Sequence, residues 1–460
     1  ANPVGHSERP GSEGPFLLQA RVSLHLAKDT EPEAEAEPSL ELLQRLDSSR
    51  WSWPLSSWSS WQLFSTKDSD SPAKVPFYVY DPSTVEPRFV GRLSSCQRKG
   101  ADYMFLEKLL DHPMRKPNAD DAEVFVIPCL FETYRRCTTT NHAEKPPSLI
   151  GESSEVVSPE HPEDFEAIPW SQAMDIGTSR CLDAVKNSEE FRKHSGKTHI
   201  FVAADWTMNF GRTYESELFQ NMTVGRIEVK ENVKDRSRCS VVVPYASDVA
   251  YAEDFSAKPS FEEWLARPDM VSFRFEEREY VLYCQNKPCR GAYDATPLRQ
   301  QSLALGERLN RQGSRSAIGV GRLQISSYAE EIHQAKFCLV IRGDTPSSHA
   351  FYDALAANCV PVLVSDPWAN VAAPFAYGNN GTVVDGLDVS QFTVQFSQDT
   401  WLHDLHEVTK KFRHILSHPA IARELFDAMQ EARPKLLWSM PGSTAADYVL
   451  QSAKRCSSTP

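Results

Sequence analysis

The sequence predicts an α/β protein built from two doubly wound parallel sheets in series. Apolar, β-branched runs alternate with helical patterns from Val75 to about Ala246, and a second alternating block begins near Glu279. Within each block the spacing between strands leaves room for crossover helices, which parallel pairing requires. The sharpest single unit is Ala335 to Tyr377: a strand (Lys336 to Ile341), a turn carrying Gly343, Asp344 and Pro346, a helix opening at Ser347-Ser348, and a second strand from Val360 to Val364.

Each element has its own signal. Residues 1–74 read as a low-complexity stem or linker, because Glu31 to Pro38 is an acidic run that stays solvated. Trp51, Trp53, Trp58 and Trp61 follow in a Ser-rich stretch, suited to docking on a globular body or to stacking on a sugar. A first lobe is expected over 75–246, with strands at 75–80, 124–127, 199–204 and 240–243 and helices at 102–111 and 177–194. Residues 138–170, rich in Pro, Glu and Ser, read as a surface loop. A second lobe over 247–400 has strands at 279–284, 317–319, 336–341, 360–364 and 382–384. Residues 401–460 turn helical and are expected to brace the lobes. Leu402, Leu405, Val408, Phe412 and Leu416 make one apolar helix face, and a last helix from Ile421 to Ala432 ends before Pro434.

Bulk composition narrows the function classes. The 460 residues, 41% hydrophobic and 24% charged, describe a globular chain large enough for two cores. A formal net charge of −13 argues against sequence-independent nucleic-acid binding, which needs a basic face. No apolar run approaches the ~18–20 residues of a bilayer span. The ten cysteines do not form a small disulfide scaffold, and no pair has zinc-finger spacing. Cys338 and Cys359, inside apolar strands, are expected as packed free thiols, with Cys284–Cys289 and Cys129–Cys137 as candidate pairs. Asn221-Met222-Thr223 and Asn380-Gly381-Thr382 are glycosylation triplets that fit a secretory-pathway chain.

The strand–turn–helix at 336–356 is the local geometry by which such sheets hold a phosphate: free N–H groups, a positive dipole end and hydroxyls converge on one point. Gly343 supplies turn amides, and Ser347 and Ser348 supply hydroxyls that serve equally as N-caps. Arg342 and Arg299 are candidate cations, or plain surface ion-pair partners. Asp353, five residues after Ser348, is placed either to accept both hydroxyls of a nucleotide ribose or to sit solvated on the helix. Asp205, ending the strand Ile200 to Ala204, is a candidate general base or a helix cap. Asp68-Ser69-Asp70 has a metal-binding D-x-D spacing, but no strand precedes it, so no metal site is expected.

The words around this unit resemble the exostosin-like glycosyltransferases, glycosyltransferase family 47. The matching residues are Phe337, Cys338, Leu339, Gly343 to Ser348, Asp353, Ala354, Cys359, Pro361, Val362, Ser365, Asp366, Pro374 and Phe375. Upstream, Phe77 to Asp81, Ala119 to Pro128, His199 to Trp206 and Cys239 to Pro244 follow in the family's order. The resemblance implies a GT-B fold, two facing Rossmann-like lobes with a cleft between them. It also implies transfer of a sugar from a nucleotide donor, a UDP-sugar foremost, to a glycan hydroxyl. Inversion, no divalent metal, no other cofactor, and a Golgi or secretory lumen with a membrane anchor outside this sequence are implied with it. Two departures stand out: His349-Ala350 replaces the family's Arg pair, and Asn358 replaces the Gly before Cys359. The missing pair supports a second expectation, an inactive relative that binds nucleotide or glycan beside an active transferase. A nucleotide-sugar epimerase or dehydrogenase is disfavoured, since no G-x-G-x-x-G follows the first strand.

Overall fold

The computed structural model describes residues 74–85, 99–133, 181, 183–204, 221–228, 239–251, 259–275, 283–284, 287–288, 295–321, 323–343, 346–377 and 387–458. The expectations for the tryptophan stretch, Asp68 to Asp70, the 138–170 loop, Asp205, Cys137, Cys289, Asn380 and the 382–384 strand fall outside these residues.

Two five-stranded, all-parallel sheets dominate. The first takes β1 (Phe77–Val79), β2 (Val124–Val126), β3 (His199–Val202), β4 (Thr223–Arg226) and β5 (Cys239–Val242), in that spatial order. Its strands are buried on both faces. Val124, Val126, Ile200 and Val202 pack on one side with Phe105, Leu106 and Leu109 of helix α1 (Ala101–Leu110). Phe125, Phe201 and Val224 pack on the other with Phe191 of helix α2 (Glu189–His194). This alternation is the period-2 pleat expressed in apolar residues. Because the strands follow chain order, this sheet lacks the reversal that a doubly wound sheet carries. The 177–194 helix is also broken. Its described part is helical at 183–186, and a new helix then begins where the Ser188 hydroxyl accepts the Phe191 N–H.

The second sheet combines β6 (Asp269–Phe275), β9 (Ser316–Val320), β10 (Ala335–Ile341), β11 (Val360–Val364) and β12 (Val394–Gln395) in the order β12-β11-β10-β6-β9. Its first strand is not at 279–284: Tyr283–Cys284 (β7) pairs antiparallel with Lys287–Pro288 (β8) in a separate ribbon. The alternating Val271, Phe273 and Phe275 carry the signal that places the real strand ten residues earlier. Helix α3 (Phe261–Leu265) precedes it, α4 (Thr296–Arg311) and α5 (Ile325–His333) are crossovers, and α6 (His349–Ala356) links β10 to β11.

Four helices close the chain: α7 (Gln398–His403), α8 (Leu405–Ser417), α9 (Pro419–Leu436) and α10 (Ala445–Ser458). Helix α9 passes through Pro434 instead of stopping before it. The proline has no N–H to return to the carbonyl four residues earlier, so the helix gives up one bond there and continues for two more residues. Helix α10 lies back on the first sheet, with His112 Nε2 3.0 Å from Asp447 and a Cys239–Cys456 disulfide to β5.

The disulfides correct the cysteine reading. Cys338 and Cys359 are joined, and Cys129 pairs with Cys181 rather than Cys137. Neither partner was close in sequence; burial brought them together. Asn358, in place of the family's Gly, takes a left-handed φ of 53° just past α6. Cys359 N–H bonds Ala354 O at 2.9 Å and Asn358 N–H bonds Leu355 O at 3.2 Å, the paired bonds of a Schellman cap. Asn is the residue after Gly that best tolerates this backbone.

Candidate functional site

Strand β10 follows β9 in the chain but lies on the other side of β6. That reversal opens a crevice at the C-terminal ends of β6 and β10, the place where open α/β sheets hold ligands. The turn after β10 sits on it. Arg342 N–H continues the pairing onto Val364 O at 3.0 Å, and the chain then turns at Gly343 towards α6. Arg299, in the first turn of α4, reaches the same turn: a Cβ built on Gly343 would stand 3.5 Å from its Nη2. Among the described residues no carboxylate pairs with the half-buried Arg299 guanidinium. Helix α4 thus brings a cation to a turn whose glycine leaves room for it.

Helix α6 begins at His349. Ser348 occupies the N-cap position with extended backbone, but its hydroxyl makes no capping bond. The Ser347 hydroxyl instead donates to Glu228 Oε2 at 3.2 Å, two residues beyond β4 of the first sheet. Asp353 is 5% exposed and both its oxygens are engaged. Oδ1 accepts from Ser247 Oγ at 2.6 Å, and Oδ2 lies 3.0 Å from His349 Nδ1. Ser247 in turn accepts the Ala250 N–H at 3.1 Å, so its hydroxyl proton is directed at Asp353. Tyr245 places its ring 5.4 Å from that of His349. Glu228 and Ser247 lie beyond first-sheet strands yet touch the α6 unit, so the C-terminal edges of the two sheets face each other.

The structure therefore brings Arg299 to Gly343 and His349 to Asp353, and places Ser347 against the first lobe. Arg342 stays half-buried at the strand end. Asp205 lies outside the described residues, one position past the buried Ala203-Ala204 that prolong β3. Glu228 and Ser247 were missed. The signal for Glu228 was the four-residue strand Thr223–Arg226, hidden by reading its first residue as part of a glycosylation triplet.

The first lobe carries its own acidic pair beside this edge. Glu132 Oε2 accepts the Ala101 N–H at 2.8 Å, and Asp102 accepts bonds from Thr133 and Tyr103. Burial, then repulsion from Glu132, pushes the Asp102 carboxyl up to about 7. A folded value above the unfolded one means the folded chain holds a proton that the unfolded chain has released. That contribution to stability is complete below about pH 4 and is lost as pH rises through about 7. Asp102→Asn should remove this loss, so its melting temperature should gain on the wild type between pH 5 and 8. Two parallel melting curves across that range would show that Asp102 does not titrate there. Among the described residues no group of three His, Cys, Asp or Glu is gathered as a metal would need.

Comparison with known proteins decides the family. The family model for the exostosin GT47 domain matches residues 71–376, more than half of the chain. The chain belongs to the exostosin GT47 family. Exostosin-1 from Bos taurus and from Mus musculus are each 51% identical to it over 41 residues, 9% of this chain and 6% of theirs. The stretch matched is thus a small part of those relatives. The family makes the chain a member of a glycosyltransferase group, and its two facing parallel sheets are the GT-B arrangement.

Proposed function

We propose that this exostosin-family chain transfers a sugar from a nucleotide-sugar donor, a UDP-sugar foremost, to a glycan hydroxyl. The observation that carries the reading is the Arg299 guanidinium at Gly343, on the turn that opens α6 at the sheet reversal. There the donor diphosphate meets turn amides, the positive end of a helix and a cation. Arg342 flanks the same turn, and His349 supplies the remaining donor where relatives carry an Arg pair. Transfer then requires the leaving diphosphate to be stabilised and the acceptor hydroxyl to lose its proton as it attacks the anomeric carbon. Asp205 is the base in this reading, by its place in the sequence just after the strand Ile200 to Ala204, and attack opposite the leaving group inverts the anomeric centre. No divalent metal takes part. The setting is a Golgi or secretory lumen.

Arg299→Ala tests it. Calorimetric titration with UDP should show affinity falling about ten- to a hundredfold, the scale of one lost charge-assisted contact. Uridine, which lacks the phosphates, should bind as before. Equal UDP affinity in variant and wild type would remove the diphosphate from this turn.

The His349-Ala350 replacement favours one other reading, a nucleotide- or glycan-binding relative without turnover. Donor hydrolysis across a UDP- and GDP-sugar panel separates the two: binding without any hydrolysis supports the second.

A further inference from the structure

Strand β9 is the outer edge of the second sheet, and it ends at Val320. Just past it, the Gly321 N–H returns to Phe275 O of β6 at 2.9 Å. At the other end, the Ser316 N–H is taken by Asn310 Oδ1 at 3.1 Å. Alternation along the strand therefore turns the Val320 N–H and C=O outward, side by side, with no partner among the described residues. Two of the three exposed large apolar side chains among those residues also stand here: Val320 is 43% exposed and Leu323 37%. Between them Gly321 takes a φ of 101°, and a Cβ built on it would meet nothing within 4 Å. The edge thus ends in an open apolar step that carries one hydrogen-bond donor and one acceptor.

We propose that this step seats the nucleobase of the donor, and that the Val320 N–H and C=O select uracil over cytosine. The inference rests on the donor-site reading above. Strands β9 and β10 flank β6, so the end of β9 lies two strand spacings, about 10 Å, from the turn at Gly343. An extended pyrimidine nucleoside diphosphate has that reach from ring to outer phosphate. With the phosphates at Gly343 and Arg299, the base falls at Val320. Uracil presents an acceptor, O4, beside a donor, N3–H. These meet the N–H and C=O of one extended residue as a neighbouring strand would. Cytosine sets an amino group against the N–H and a bare ring nitrogen against the C=O, so both bonds are lost. Val320 and Leu323 give the ring apolar contact.

The test measures calorimetric affinities for UDP, CDP, N3-methyl-UDP and inorganic pyrophosphate in the wild type and in Val320→Pro. Proline removes the outward N–H without costing the sheet a bond, and edge strands accept it. The wild type should bind CDP and N3-methyl-UDP each about tenfold or more weaker than UDP, the scale of one or two lost hydrogen bonds. Val320→Pro should weaken UDP about tenfold and leave pyrophosphate unchanged. Equal wild-type affinity for UDP, CDP and N3-methyl-UDP would overturn the proposal, whether or not Val320→Pro folds. A folded Val320→Pro chain with unchanged UDP affinity would overturn it as well and put the base elsewhere. A wild type that does not bind UDP removes the donor-site reading itself, and this inference with it.

Discussion

A Cys239→Ser, Cys456→Ser double variant should lose about 3–5 kcal/mol of stability, read as a drop in the midpoint of chemical denaturation. The bridge closes a loop of 217 residues that includes the whole second sheet. Cross-links across long loops remove the most freedom from the unfolded chain. It also fastens helix α10 to β5, so its loss frees the one covalent tie between the C-terminus and the first lobe among the described residues. What remains is non-covalent and includes the His112–Asp447 contact, the Lys454–Glu123 ion pair and the Trp438 Nε1–H bond to Pro244 O at 2.9 Å. With these contacts and its buried Tyr448, Val449 and Leu450, α10 should stay docked in the native state while unfolding becomes easier. Replacing both cysteines avoids a stranded thiol. A denaturation midpoint unmoved by the double substitution would mean that non-covalent packing alone holds the helix.

Arg433→Ala should be nearly as damaging, by about 3–5 kcal/mol, and should weaken nucleotide binding as well. Arg433 is 2% exposed and lies on α9, beneath the far end of α6. Its guanidinium donates to Leu355 O at 2.8 Å, Ala356 O at 3.3 Å and Gln430 Oε1 at 2.9 Å. Two of those acceptors are terminal carbonyls of α6, which carry the negative end of its dipole. Arg267 serves the next carbonyls, Ala357 O and Asn358 O, both at 3.0 Å. Truncation at 433 would leave buried carbonyls without a donor and a void where the guanidinium lay. Arg433→Met fills the space without restoring the bonds, so it should recover only the packing part. Both variants should bind UDP less tightly, because the helix that opens the donor site is anchored at this end. A folded Arg433→Ala chain with native stability would show that Arg267 alone suffices.

How much was legible beforehand depended on how local each feature is. The strand, glycine turn and helix at 336–356 lie within about twenty residues, and apolar runs, a turn glycine and serines at a helix start report on nearest neighbours in the chain. Arg299 was legible only as a candidate cation; that it reaches Gly343 was not. Asp353 was legible as an acid on that helix. Its two partners were not.

Read from the residues alone, then, were the two α/β lobes, the family, and the turn on which the donor site is proposed. Tertiary structure decided the rest. Ser347 and Glu228 are 119 residues apart, and Ser247 and Asp353 are 106 apart. Cys338 meets Cys359, and Cys239 meets Cys456, only after strands and helices have packed. Periodicity and turn chemistry record what a residue needs from its neighbours within a few positions. Which distant carboxylate, hydroxyl or thiol answers a buried group is settled by burial itself, since an isolated polar group away from water must find a partner wherever the fold brings one.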